Sequence, residues 1–312
     1  MPVSVIPILL ALGAALAYGA SDFLGGRAST RVHFSVVTAA GAGTASVIAA
    51  LAAPLVGGDV TPGPLAWGVL AGVGSGGGTL FLYRGLARAR VAVVAPTSGV
   101  IAAAMPAGLA LLLGERPSPV TIAGLVIALP AVWLISGGGS SGADDARPSG
   151  LIDGILAGLG FGLLFVGLDQ AGDSAGLWPL AAGQAAAFVL VVLVARQICR
   201  PVSQPAVTAA SAASDHAAAA ATAGIDGAAR SDARPRPWLP MALATGVLAS
   251  AATLLFYAST TTGLLTIAAV LTSLYPAGTI LLARILLDER ISRWQGIGLT
   301  MAGCAVVLIT LG

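Results

Sequence analysis

The last part of the chain is written twice. Residues 238–312 slide back by 174 positions onto residues 64–138 without a gap. Tyr257 falls on Tyr83, Gly246-Val247 on Gly72-Val73, Glu289-Arg290 on Glu115-Arg116 and Gly298-Leu299 on Gly124-Leu125. Each copy carries three apolar runs. A chain built this way folds as two copies of one unit, and any function has to be hosted by that pair.

The solvent of the pair follows from composition. Charged residues make up 9% of the chain and hydrophobic residues 57%, against about 25% charged in a soluble domain. A bilayer is the expected solvent. The formal net charge of +2 gives no basis for nucleic-acid binding. A spanning helix needs about 20 mostly apolar residues. Ten runs qualify: residues 3–24, 34–56, 65–86, 91–114, 120–136, 151–168, 177–198, 238–257, 264–287 and 294–311. Turn residues and charges separate them, as at Gly57-Gly58-Asp59 and Asp288-Glu289-Arg290. The first run has no basic residue before it, so a retained helix is expected rather than a cleaved leader.

The first helices of the halves also match. Tyr18-Gly19 aligns with Phe161-Gly162, 143 positions later. Each half then holds five helices, residues 1–136 and 151–312, joined by a Gly/Ser linker at 137–150. A stretch at 200–237, rich in Ala, Ser, Asp, Arg and Pro, lacks an apolar face and is expected to be disordered. Five is odd, so the second half enters the membrane from the opposite side. The expected fold class is all-α and polytopic, with ten transmembrane helices in two inverted five-helix repeats.

Arginine tests the count. All fifteen basic residues are Arg, and fourteen of them border odd-numbered loops; only Arg116 borders an even one. This asymmetry places the odd loops in the cytoplasm and both termini outside. Trp67, Trp133, Trp178, Trp238 and Trp294 fall near helix ends, where interfacial aromatics belong.

Several motifs read as scaffold. Gly72 to Gly77 satisfies G-x-G-x-x-G, but inside an apolar helix that leaves no free amides for phosphate. Gly68, Gly72 and Gly76 form instead a small-residue stripe for close helix packing. Glu115 and Glu289 follow the fourth helix of each half. They read either as gating carboxylates or as acceptors for the first turn of the next helix, whose N-terminus favours an anion. Cys199 and Cys304 have no metal-ligand spacing, and His33 and His216 both lie in loops, so no metal, cofactor or catalytic site is expected.

Prolines inside helices mark candidate hinges. Pro96 and Pro106 interrupt the fourth span and Pro276 the ninth; each frees a carbonyl that a neighbour or cavity must satisfy. Hydroxyls and a tyrosine gather beside them as Thr97-Ser98 and Thr272-Ser273 with Tyr275. With Tyr18 in the first helix and Gln184 in the seventh, these are the candidate solute-lining residues. Asp22, Asp153 and Asp169 read as lying near helix ends; Asp22, the least peripheral, reads either as pairing with Arg27 or Arg31 at the interface or as reaching a cavity near Tyr18. With no central charge, a neutral, zwitterionic or amphipathic solute is favoured.

The chain resembles the drug/metabolite transporter superfamily, in its EamA-type branch. The resemblance covers nearly the whole chain. It is carried by the ten helices, the two five-helix repeats, the aromatic-Gly pair opening each half, and Pro276 through Leu287-Asp288-Glu289-Arg290 to Gln295-Gly296-x-Gly298. Such proteins are carriers or exporters of amino acids, sugars, nucleotide sugars and drugs. The resemblance implies a non-enzymatic carrier without cofactor, whose partners are a small solute and the bilayer; pairing of two copies is left open. This chain departs from the pattern at Ala102, the mate of Pro276, and in lacking a basic residue in the first helix. Two other readings stand beside it. An intramembrane enzyme acting on lipid would need His, Asp or Glu clustered at one depth. A non-transporting scaffold would move no metabolite in liposomes.

A reporter fused after Gly312 is expected to be active only outside the cytoplasm. Cytoplasmic activity would reverse the arginine-based orientation.

Overall fold

A computed structural model describes residues 5–88, 91–135, 148–198, 238–287 and 292–311. The 137–150 linker lies mostly outside the described residues, and the 200–237 stretch and the Glu289 motif wholly so. The helices are α1 (Val5–Ser29), α2 (Phe34–Val56), α3 (Pro62–Arg88), α4 (Val91–Leu112) and α5 (Pro119–Ile135) in the first half. The second half holds α6 (Pro148–Gln170), α7 (Trp178–Ile198), α8 (Leu239–Thr262), α9 (Leu265–Thr272), α10 (Tyr275–Leu287) and α11 (Arg293–Leu311). Seven are long and apolar enough to cross a membrane, and α4, α5 and the α9–α10 pair are shorter apolar segments. These are the ten spans, in two inverted five-helix repeats.

Local chemistry sets the ends. Pro62, Pro119 and Pro148 occupy first helical positions, where the missing N–H costs nothing. Gly57 and Gly114 follow α2 and α4 with φ of 74° and 105°, the left-handed conformation that stops a helix without Cβ strain. Ser118 caps α5, accepting from Thr121 N at 3.1 Å.

The ninth span is broken. Pro276 has no N–H to give the carbonyl of Thr272, so α9 ends there. A turn at Ser273-Leu274 restarts the chain as α10, held by Ala277 N donating to Leu274 O at 2.8 Å. In the first half α4 runs unbroken through Pro96 and Pro106. The mate of Pro276 is Ala102, which keeps its N–H.

The halves are interleaved. α1 packs along α8, α9 and α10, while its mate α6 packs along α3 and α4. α2 packs on α7 and α8, α7 on α2 and α3, and α5 on α11. Exchanging the halves maps this pattern onto itself. Single contacts obey the same exchange. A Cβ on Gly19 would strike the backbone at Thr279, and one on Gly162 would strike Met105, 174 positions earlier. A Cβ on Gly72 would overlap the Gly183 carbonyl, and one on its mate Gly246 that of Gly41. The expected small-residue stripe thus lies against α7, with Gly68 at Pro179, Gly72 at Gly183 and Gly76 at Ala187. The outward faces are apolar, with Leu51, Val126 and Val189 more than half exposed, as lipid contact requires.

Gly72→Ala is expected to force α3 off α7 and cost about 1–3 kcal/mol, lowering the thermal midpoint in detergent. Gly77→Ala, whose Cβ meets nothing within 4 Å, is expected to be neutral or to stabilise by up to about 1 kcal/mol. Equal midpoints for the two variants would refute the close-packing account.

Candidate functional site

A central cavity of about 80 Å³ lies between α1, α2, α3, α6, α7 and α8, with Tyr275 of α10 at its edge. At about 10–15 Å³ for each water centre, it holds several waters or part of an organic solute. α1 contributes Tyr18, Ser21 and Asp22, and its mate α6 contributes Phe161, Leu164 and Phe165. These two sets are the same three positions of the repeat, each 143 apart. The wall on α1 is polar and the wall on α6 apolar. α3 and α8 present another matched pair of faces, Ser75 with Thr79 and Ala249 with Thr253. α2 and α7 supply Thr38, Gly41 and Gln184.

Hydrogen bonds fix the lining. Thr253 Oγ1 donates to Ala249 O at 2.7 Å, so the Tyr18 hydroxyl donates to Thr253 Oγ1 at 2.9 Å. Ser21 donates to Thr245 O at 3.1 Å, and Thr38 to Phe34 O at 2.9 Å. Phe161 meets Tyr275 edge-on with ring centres 6.5 Å apart, and Phe165 stacks on Phe256 at 4.3 Å.

Of the residues singled out in sequence, Tyr18, Gln184 and Tyr275 line this cavity. Thr97, Ser98, Thr272 and Ser273 do not line it and are buried between helices. Ser98 Oγ and the Tyr275 hydroxyl are 3.2 Å apart. Thr272 donates to Ala11 O at 3.4 Å and Ser273 to Ala269 O at 2.7 Å. Pro106 and Pro276 are buried.

Two carboxylates depart from the local pairings read for them. Asp22 does not pair with Arg27 or Arg31, both of which are exposed. It faces the cavity and makes no hydrogen bond or ion pair among the described residues. The reason is helix length. α1 runs to Ser29, five residues past the expected end, so Asp22 sits about 10 Å of helix inside it at 1.5 Å per residue. Of the two sequence readings of Asp22, the structure favours the one that places it on the cavity. Asp153 is also inward, buried and paired with Arg84 of α3.

Glu115 is the second departure. It does not cap α5, because Ser118 already does. Its carboxylate crosses to the other half and accepts from Leu265 N at 2.8 Å and Thr266 N at 3.0 Å, and from the Thr266 hydroxyl. It is the anionic cap of α9.

Among the described residues, a set of bonds ties the even-loop end together. Asp59 N donates to Ser174 O at 3.0 Å, tying the second loop to the sixth. Tyr257 donates to the carbonyls of Gly172 and Gly176. Ser259 donates to Pro7 O at 2.9 Å. With Glu115 on α9, every one of these ties lies at the even-loop end. The cavity lies toward the other, arginine-rich end, where Asp22, Thr38 and Tyr83 stand near the ends of their helices.

The cavity residues that sequence reading passed over, Ser21, Ser75, Thr79, Thr245 and Thr253, share a signal that was present. Ser21 follows Tyr18 by three, and Ser75-Thr79 and Thr245-Ala249-Thr253 are spaced by four, so each set forms a polar or small stripe on one helix face. Among the described residues no three His, Cys, Asp or Glu gather as a metal site.

This arrangement meets the sequence profile of the EamA-like transporter family over residues 5–137 and 148–311. The chain belongs to the EamA-like transporter family. No curated protein matches it. A solved crystal structure, titled only as that of a protein, superposes with a TM-score of 0.68 at 17% identity, over 97% of this chain and 95% of that one. At that identity the likeness shows the fold alone. As an EamA-family member, the chain is a multi-pass transporter protein of the drug/metabolite superfamily.

Glu115→Ala is expected to free two helix N–H groups and lower stability by about 1–3 kcal/mol, seen as a lower thermal midpoint. An unchanged midpoint would remove the carboxylate from its role as the α9 cap.

Proposed function

We propose that this EamA-family protein carries a small organic solute across the cytoplasmic membrane by alternating access, with the central cavity as its binding site. The observation that carries this reading is an internal cavity between interleaved halves that are tied to each other at the even-loop end. The even-loop end is tied by backbone and side-chain bonds, and the polar lining faces the arginine-rich end. Under the arginine asymmetry the arginine-rich end is cytoplasmic and the even-loop ties lie on the outer side. The interleaved halves support rocking as the motion, since each helix of one half has its mate in the other and an exchange of roles would close the opposite end. The break between α9 and α10 supports a hinge there, next to Tyr275. The residues proposed to contact solute are Tyr18, Gln184 and Tyr275, joined by Asp22, Ser21, Thr79 and Phe161.

Transport is tested in proteoliposomes loaded with a panel of amino acids, sugars, nucleosides and amines, following counterflow. A second test ties transport to the even-loop end. In a chain with Cys199 and Cys304 replaced by Ser, Asp59→Cys with Ser174→Cys puts two thiols at a site where the backbones are hydrogen-bonded. Oxidation is expected to stop counterflow and reduction to restore it. Transport that continues at full rate in the oxidised, cross-linked protein would refute alternating access through this end.

A further inference from the structure

Asp22 is the one charged residue in the cavity lining among the described residues. An ionisable group inside a spanning bundle is costly unless it is paired or serves a site. The cations nearest in sequence or across the bundle are accounted for elsewhere. Arg27 and Arg31 are exposed at the interface, Arg84 is held by Asp153, and His33 is bonded to Ser35 at 2.7 Å. The carboxylate therefore points into the cavity with its countercharge missing. Opposite it, at the same positions of the repeat, stand Phe161, Leu164 and Phe165.

We propose that the cavity takes an organic cation, an ammonium group on an aromatic or apolar body, with Asp22 as its countercharge and the α6 wall holding the body. This rests on the carrier reading above and names its solute class. The geometry orients such a molecule. Its ammonium lies against the α1 wall, where the Asp22 carboxylate is the anionic acceptor and the Ser21 and Tyr18 hydroxyls, each already donating, keep oxygen lone pairs that can accept beside it. Its ring lies against the phenylalanines, and Tyr275 and Tyr18 offer faces to a cation beside them. A carboxylate-bearing solute would meet Asp22 as a like charge, and a neutral one would leave it unpaired.

The test is a charge series on one body: phenethylamine, 2-phenylethanol and 3-phenylpropanoate, titrated calorimetrically into purified wild-type protein and Asp22→Asn. In wild type the amine is expected to bind about tenfold or more tighter than the alcohol, and the carboxylate not at all. In Asp22→Asn the amine is expected to fall to the affinity of the alcohol, whose own binding is unchanged. Asp22→Glu, which keeps the charge, restores part of the amine preference. An amine no tighter than the alcohol in wild type, no binding of any of the three, or full amine affinity in folded Asp22→Asn overturns the proposal. Should Asp22→Asn fail to fold, the wild-type series still decides. Counterflow of a neutral solute without amine preference overturns the solute class and leaves the carrier reading standing. Asp22-dependent amine binding without transport of any solute supports the site and removes the carrier reading.

Discussion

Lipid tails are as apolar as leucine, so no hydrophobic force presses the helices of this protein together. What holds them is the close approach of backbones. α3 lies on α7 because Gly72 meets Gly183 and Gly76 meets Ala187, and α8 lies on α2 because Gly246 meets Gly41. These contacts join one half to the other, as do the α1–α8 and α3–α6 packings. A half taken alone would lose the partners of nearly every helix it owns. The two copies in sequence are therefore not two domains in space, and the exchange symmetry belongs to the whole bundle.

Among the described residues, the backbone departs from that symmetry at the α9–α10 break. A break inside a membrane is tolerable only where freed groups find partners. The turn itself meets part of the need, with Leu274 N donating to Leu271 O at 3.2 Å and Ala277 N to Leu274 O at 2.8 Å. Glu115 of the opposite half holds the far end of α9, at Leu265 and Thr266. The hydroxyls beside the proline bond carbonyls of α9 and α1, from Ser273 to Ala269 O and from Thr272 to Ala11 O, so both lie buried between helices while Tyr275 reaches the cavity.

The ten spans were legible in the sequence because apolar length and arginine placement depend on the bilayer and not on tertiary contacts. The repeat was legible because Tyr83, Gly72 and Glu115 each have an identical mate. What the sequence hid was partnership across long separations. Glu115 finds its amides 150 residues away, and no local pattern announces that, while Ser118 satisfies α5 unseen. Asp22 stood open in the sequence between an arginine pair at the interface and a cavity, because the first apolar run stops at Leu24. In the structure α1 continues to Ser29 through Gly25, which faces the ring and hydroxyl of Tyr83 where a side chain would not fit, and Asp22 lines the cavity.

A carrier made from a duplicated unit has two demands that pull apart. Alternation needs the halves to be interchangeable, so that the bundle has equivalent states open to either side. Recognition needs the cavity to be unlike itself, because a solute with two chemically different ends is held by walls that differ. The lining reconciles them by confining the differences to side chains. Thr79 and Thr253 are identical mates on α3 and α8. The break in likeness is concentrated on the first helices, where Tyr18, Ser21 and Asp22 are answered by Phe161, Leu164 and Phe165 on an otherwise equivalent backbone. Changing those six positions alters what the cavity holds while leaving the glycine contacts that let it move. Under the proposed carrier reading, recognition is written where the copies diverge, and movement where they agree.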